Sequence, residues 1–336
     1  MAGYNLKEGK YLDKKLSEED MWNVFMPLFT STTKNDTSYK YGFLKAIIDN
    51  LYNIGDDYVL TFNKVFQTFT VIYWNLINKY SIRQKAPTKD GRESLLERVI
   101  KGLSSDYEIS SDIPYENIPL EIREVIEKKV KQNCKTYVVG AVYSDTKQLF
   151  YSFSKKEEKI ELNPQVYDFL CRHKSAIEKI NYFEWAKFLE KVNDEDTTNK
   201  LISKIEHSSQ RTNLSVYREI LFNELETERC FYCGKKINMS NVEVDHFIPW
   251  SFVKDDKIWN LVLSCKECNR KKSDKLPDLK FMEKIEQRNI NLENKMDDGE
   301  QHYSEFELYN EHTIRELYYW ANLNGYSEIW KPSMKR

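Results

Sequence analysis

Four cysteines in two short pairs constrain the fold of this 336-residue chain more than any other feature of its sequence. The stretches CFYCGKK and SCKECNRKKSD contain C-x-x-C pairs at Cys230/Cys233 and Cys265/Cys268. Two such pairs are typical of a structural zinc site, in which four thiolates hold the ion tetrahedrally. The alternatives, unligated core thiols or a redox pair, stay open. Because a four-thiolate zinc ion has no open position for water or substrate, it can build a small domain, but any chemistry requires a second site.

The stretch VEVDHFIPW at 242–250 places Asp245 and His246 side by side in an otherwise apolar, strand-like run that Pro249 ends. Burying an acid beside a titratable ring costs free energy unless a metal ion or a structured polar network pairs with it. Asn260 follows in WNL, and Asn269 comes directly after the last cysteine. The polar side chains that could form a second site therefore lie between and beside the cysteine pairs.

The order of these residues resembles the HNH endonuclease family over residues 230 to about 275. The resemblance implies two β-strands and a helix around a catalytic metal, fastened by a four-cysteine zinc ion. It implies that His246 is the general base, that Asp245 and Asn269 hold the catalytic ion, and that Asn260 holds the loop that aims His246. The chain has Asn269 where the family often has histidine. The resemblance extends to stand-alone nucleases of bacterial defence and restriction systems.

The residue types suit hydrolysis of a phosphodiester bond. The reaction needs an activated water, a cation beside the phosphate and help for the leaving oxygen. Two oxygen ligands, from Asp245 and Asn269, favour Mg²⁺ or Mn²⁺ over zinc for the catalytic ion. Lys272 shares a helical face with Asn269, so we expect it to reach the same phosphate. The alternative, a solvated lysine in a charge run, stays open.

Composition limits the remaining function classes. Lys and Arg number 51 against 53 Asp and Glu, so the whole chain carries no electrostatic signature for nucleic acid or membrane. Any site for a polyanion must be local. With no apolar leader and no long apolar run, we expect a soluble, cytoplasmic protein. Cys134 and Cys171 stand alone and are interpreted as small buried hydrophobic residues.

The sequence predicts an α+β protein, with a mostly helical platform that contains a β-hairpin and a small zinc-fastened ββα-metal module. The hairpin is predicted at 136–143 and 148–154, extended by KIEL at 159–162, because these runs are rich in β-branched and aromatic residues. The expected domains are a helical domain at 1–133, a hairpin-and-helix linker at 134–226, the HNH module at 227–280 and a helical segment at 281–336.

The predicted function is metal-dependent endonuclease cleavage of nucleic acid, DNA before RNA, by nicking or by a double-strand break, in bacterial defence or restriction. The sequence also allows a homodimer or an activating partner protein, with the helical region as the contact. Three alternatives stay open: a non-catalytic zinc ribbon that binds nucleic acid or a partner, an RNA-directed nuclease and a partner-activated nuclease. In the zinc ribbon, Asp245, His246 and Asn260 would only hydrogen-bond to one another.

Overall fold

The computed structural model describes residues 5–30, 36–86, 88, 91–209, 214–225, 228–295 and 303–332. The chain divides into two compact units, Met1–Gln210 and Arg211–Arg336. The expected fold class, mixed helix and sheet with a small ββα module, is confirmed. None of the described helices combines the length and the apolar character that a membrane crossing requires.

The first unit is mainly helical. Its helices are α1 (Glu18–Phe29), α2 (Tyr39–Asp49), α3 (Phe62–Trp74), α4 (Leu95–Asp106), α5 (Leu120–Asp145), α6 (Pro164–Glu190), α7 (Glu195–Thr198) and α8 (Leu201–Glu206). Local sequence fixes several starts: Ser17 and Ser94 cap α1 and α4 in reciprocal capping boxes, and Asn163 caps α6 just before a proline at its first position. Large aromatic side chains of α2, α3 and α6 fill the core, among them Phe43, Phe69 and Trp185.

A four-stranded antiparallel sheet completes the first unit. Its strands are β1 (Glu8–Gly9), β2 (Val59–Thr61), β3 (Tyr151–Ser154) and β4 (Lys159–Leu162), in the order β1-β3-β4-β2. In the β3–β4 hairpin, Phe153 lies opposite Ile160, and both side chains are buried. Alternate residues of these strands therefore face the core, as the period of two requires.

The strand expected at 136–143 is wrong, because those residues form the last turns of α5. The hairpin consists instead of β3 and β4. Val138, Val139 and Val142 are all buried in the helix, since α5 packs against α2, α3 and α4. A short run of buried β-branched residues has the same composition in a strand and in a buried helix, and tertiary packing decided between them. The domain boundary expected at 133/134 also falls inside this helix.

The second unit contains a β-hairpin followed directly by a short helix. Its elements are α9 (Ser215–Leu225), β5 (Val242–His246), α10 (Trp250–Val253), β6 (Leu261–Cys265), α11 (Lys266–Lys272), β7 (Leu276–Pro277), α12 (Met282–Glu293), α13 (Thr313–Leu323) and β8 (Ile329–Trp330). Strands β5 and β6 are antiparallel, with Val242 opposite Cys265 and His246 opposite Leu261. Helix α11 packs on both strands. This ββα arrangement positions the residues of the second site.

Candidate active site

The four cysteines of the C-x-x-C pairs meet in the folded chain. Their sulfur atoms all lie within 4.8 Å of one another. The first pair spans a tight turn that Gly234 closes at a φ of +71°, and the second pair joins the end of β6 to the first turn of α11. Burial raises the pKa of the Cys230 and Cys268 thiols, so these two sulfurs favour the thiol form unless a cation binds them. The donor set and the crowding fit a structural zinc ion.

Asp245 is buried in β5 and has two partners. The hydroxyl of Tyr232 donates to Oδ2 at 2.6 Å, and Nζ of Lys272 lies 3.1 Å from the same oxygen and 3.4 Å from Oδ1. Burial and the neighbouring carboxylate raise the pKa of Tyr232, which keeps its hydroxyl a donor. Among the described residues, the contact of Oδ1 is the longer one from Lys272, which leaves this oxygen able to bind a cation.

Lys272 does not occupy the position expected from the sequence. Its side chain is fully buried, and Nζ donates to the backbone carbonyl of His246 at 2.5 Å as well as facing Asp245. It is absent from the lining of the cavity that Asp245 and Asn269 share. The helical periodicity placed Lys272 correctly near the site, but the side chain reaches inward, beneath the strand. We therefore propose that Lys272 positions Asp245 and does not contact a phosphate.

His246 is held by an acid that sequence reasoning missed. Nε2 of His246 lies 2.6 Å from Oδ1 of Asp256, whose side chain is almost completely buried. With Asp256 as acceptor, the hydrogen is assigned to Nε2, and Nδ1 carries the lone pair. The two residues are ten positions apart on either side of α10, with His246 at the end of β5 and Asp256 in a loop without regular periodicity. The only signal in the sequence was the acid pair at 255–256, which is ordinary for an exposed loop.

The loop that carries Asp256 is itself well anchored. The hydroxyl of Tyr217 lies 2.7 Å from the Asp256 carbonyl oxygen and 3.0 Å from a Glu305 carboxylate oxygen, and its one proton is shared between these two acceptors. Glu305 also accepts the backbone N–H of Ile258 at 2.6 Å. These contacts join α9 and the segment after residue 302 to the loop, so the carboxylate of Asp256 has a fixed position beside the imidazole of His246.

Asn260 fastens the chain just beyond His246. Its carboxamide accepts the N–H of Ile248 at 2.8 Å and donates to the carbonyl of the same residue at 3.0 Å. Its own carbonyl accepts the N–H of Phe247 at 2.7 Å. Asn260 is fully buried, so these bonds are shielded from water. Asn260 is therefore placed to hold the loop that follows His246.

A cavity of about 910 Å³ brings Asp245, His246 and Asn269 together. Lys266 and Arg270 of α11 also line it. Among the described residues, no hydrogen bond engages the side chain of Asn269, so its carboxamide oxygen is available to a ligand. A carboxylate and a carboxamide oxygen form a donor set that suits a hard divalent cation such as Mg²⁺ or Mn²⁺. Asp245 and Asn269 could hold such an ion beside the imidazole.

Comparison with known proteins agrees with this geometry. A family model described as HNH endonuclease matches residues 230–278. Residues 230–278 are an HNH endonuclease domain. The HNH domain contains every residue discussed for the cavity and the zinc cage except Tyr217 and Glu305.

Two curated relatives share this region. The chain is 34% identical over 102 residues to a "CRISPR-associated endonuclease Cas9" of Listeria innocua, covering 27% of this chain and 8% of the relative. It is 34% identical over 83 residues to a protein of the same name from Streptococcus mutans, covering 24% and 6%. The chain thus spans less than a tenth of the length of these relatives.

A solved structure, the Type II-C Cas9 enzyme of Actinomyces naeslundii, aligns with 89% of this chain and 40% of its own length. The alignment has 13% identity and a TM-score of 0.18, so it supports no conclusion about the fold.

Replacing Lys272 by methionine is expected to destabilise the HNH domain by roughly 3–5 kcal/mol, the usual effect of removing one partner of a buried ion pair. The Asp245 carboxylate would then be buried without the Lys272 ammonium that pairs with it. Urea unfolding measures the change. Lys271→Met is the matched control, because Lys271 pairs with Glu267 at the exposed surface, where an ion pair contributes about 0–1 kcal/mol. Equal stability of the two variants would contradict the positioning role of Lys272.

Proposed function

We propose that this protein is a metal-dependent endonuclease that hydrolyses phosphodiester bonds of nucleic acid, with DNA preferred to RNA. The observation that carries the proposal is that one cavity of the HNH domain is lined by Asp245, His246 and Asn269 together. Proteins of this kind need a base, a cation site and a space for the phosphate in one place. The cavity provides residues for all three.

His246 is the general base of the proposed reaction. Nδ1, the nitrogen that Asp256 leaves available, accepts a proton from the attacking water. The Asp256 carboxylate keeps the ring in this tautomer and stabilises the imidazolium that forms. Asn260 fixes the backbone just after His246 through its two bonds to Ile248. The base is therefore oriented before substrate arrives.

Asp245 and Asn269 would hold the catalytic Mg²⁺ or Mn²⁺, with Tyr232 and Lys272 orienting the carboxylate. When bound, the ion would stabilise the additional negative charge on the phosphate and on the leaving oxygen. Lys266 and Arg270, on the cavity wall, are placed to attract the phosphates on either side. These residues bind and orient the substrate, and His246 moves the proton.

The two relatives also bear on the biological role. Both are called CRISPR-associated endonucleases, which supports a role in antiviral defence or restriction in the cytoplasm. The first unit, Met1–Gln210, is proposed to contact a homodimer partner or an activating protein. Cleavage by one site per chain gives a nick, and two copies would give a double-strand break.

The second candidate function is a non-catalytic zinc ribbon that binds nucleic acid or a partner. One observation favours it: Asp245 already has two partners and needs no metal to be satisfied. The two functions differ in divalent-ion binding. A catalytic site binds Mn²⁺ and loses it in Asp245→Ala, whereas a zinc ribbon has no second ion to lose. Mn²⁺ titration followed by electron paramagnetic resonance distinguishes them.

Supercoiled plasmid is the direct test of the proposed function. The purified chain is expected to convert it to relaxed or linear product with Mg²⁺ or Mn²⁺ and to leave it intact with a chelator. An RNA transcript of the same sequence, assayed in parallel, is expected to be cut more slowly. No cleavage of either polymer, together with Mn²⁺ binding that Asp245→Ala leaves unchanged, would overturn the proposal.

Asp256→Asn is expected to lower the cleavage rate about ten- to a hundredfold, the range found when an outer partner of a functional histidine is lost. The imidazole keeps a neighbour of the same shape but loses the charge that stabilises the imidazolium. Single-turnover cleavage at saturating DNA measures the rate, and Mn²⁺ affinity and melting temperature should stay close to those of the wild type. Asp278→Asn is the control, because Asp278 is an acid of the same domain that pairs with Lys331 and does not line the cavity. A wild-type rate in Asp256→Asn would show that the acid has no part in the reaction.

A further inference from the structure

A second cavity lies on the zinc side of the HNH domain, and nothing in the proposed reaction uses it. Its volume is about 720 Å³. It combines three lysines with an aromatic wall: Lys235, Lys271, Lys280, Tyr232, Phe281 and Trp330. The lysines come from three separate segments of the chain, so their convergence is a property of the fold and not of one charge run.

The side chains of the aromatic wall pack against one another, and Tyr232 links this wall to Asp245 of the catalytic cavity. Tyr232 makes edge-to-face contacts with Phe281 and Trp330, at centroid distances of 5.4 and 5.1 Å. All three side chains are buried. The hydroxyl at the far end of Tyr232 donates to Asp245. A ligand in the second cavity would thus lie against the same side chain that orients the proposed metal ligand.

The lysines give this cavity a positive rim. Lys235 and Lys280 are exposed, and the ammonium of Lys280 lies 5.1 Å from the centroid of the Phe281 ring. Lys271 pairs with Glu267 at 2.9 Å. Glu267 also lines the catalytic cavity, so the two cavities adjoin across α11. One extended polyanion could occupy both.

We propose that the second cavity binds backbone phosphates of the nucleic-acid strand whose scissile phosphate occupies the catalytic cavity. This inference rests on the proposed function. A helix with its side chains is about 10–12 Å across, and one strand of a duplex carries a phosphate about every 3.4 Å of axial rise. The bound phosphates therefore lie about three nucleotides from the cleavage site. Lys235 and Lys280 bind them, and Glu267 opposes the strand where it crosses α11.

The competing explanation is that these lysines only offset the charge of the zinc cage. Cys233 and Cys268 form part of the same cavity wall, and four thiolates with one zinc ion carry a net charge of −2. The two explanations predict different effects of removing the lysines. If the lysines offset the cage, their removal weakens zinc retention. If they bind the strand, zinc stays and affinity for nucleic acid falls.

The experiment measures binding without cleavage. All variants carry His246→Ala, and fluorescence anisotropy gives the Kd for a labelled DNA duplex at several salt concentrations. Lys235→Gln/Lys280→Gln is expected to raise Kd about tenfold and to lower the slope of log K against log salt by about 2, one for each phosphate that the variant no longer neutralises. Glu267→Gln is expected to lower Kd. A duplex that extends fewer than about three nucleotides on either side of the cleavage site does not reach the second cavity. Wild type and the double variant should therefore bind it equally.

The control is Lys236→Gln. Lys236 follows Lys235 in the sequence and is exposed, but it pairs with Glu228 and does not line the cavity. Zinc content is measured for each variant by mass spectrometry. A double variant that binds DNA like Lys236→Gln, or one that loses zinc, overturns the inference. If wild type cuts no substrate but the lysine-dependent binding is present, the proposed function fails and this cavity still binds nucleic acid. If wild type cuts and the lysines have no effect, only this inference fails.

Discussion

Replacing His246 by alanine is expected to slow phosphodiester cleavage by ~10²- to 10⁴-fold, the usual contribution of a general base. In the proposed reaction the imidazole takes the proton from the attacking water, and its second nitrogen is already engaged by Asp256. The Kd for DNA should change little, because the phosphates are held by Lys266, Arg270 and the cation site. Single-turnover cleavage of plasmid and anisotropy on uncleaved duplex measure the two effects separately.

His312→Ala serves as the control for this prediction. His312 lies in the same unit but is exposed, and its ring faces Glu311. Its variant should cut at the wild-type rate. If His246→Ala cuts DNA at a rate within about tenfold of the wild-type rate, His246 is not the general base.

Removing the zinc ion is expected to unfold the HNH domain. Apparent binding free energies of structural zinc are about 10–16 kcal/mol in small zinc domains, and this energy contributes directly to folding. Without the ion, four crowded sulfurs remain, two of which are buried in a way that opposes thiolate formation. Strong chelator, or Cys265→Ser, should therefore abolish cleavage and make residues of the second unit sensitive to protease, while the first unit melts as before.

Cys134→Ser is the matched control for the zinc prediction. Cys134 is buried in α5 of the first unit, far in sequence from the cage, and is not one of the four grouped cysteines. This variant should keep one zinc ion per chain, and any loss of stability should appear in the first unit. A Cys265→Ser protein that retains zinc and a protease-resistant second unit would contradict the structural role of the cage.

The four-cysteine cluster and the ββα module could be predicted from the sequence because local spacing determines them. A C-x-x-C pair fits one tight turn, and the apolar, strand-like run around Asp245 and His246 forms the strand Val242–His246. The position of Asn260 beside His246 also followed from the family order. In each case the residues that decide the structure lie within a few positions of one another or in a fixed motif.

The parts that sequence reasoning missed depend on long-range contacts. Asp256 reaches His246 only because Tyr217 and Glu305 hold its loop in place. The side chain of Lys272 turned inward because Asp245 offers a buried partner that helical periodicity does not describe. The stretch at 136–143 became a helix because neighbouring helices bury its valines. No local pattern in the chain encodes these three outcomes.

Tyr232 lies in the chain between the first two zinc ligands, and its hydroxyl reaches the carboxylate of Asp245. The turn that zinc closes therefore also supplies the donor that orients the proposed Mg²⁺ ligand. On the proposed function, this link predicts an order of metal loading, with zinc first and the catalytic ion second. On the proposed function, a newly made chain that has not acquired zinc lacks an organised cleavage centre, which protects the nucleic acid of its own cell until maturation of the nuclease is complete.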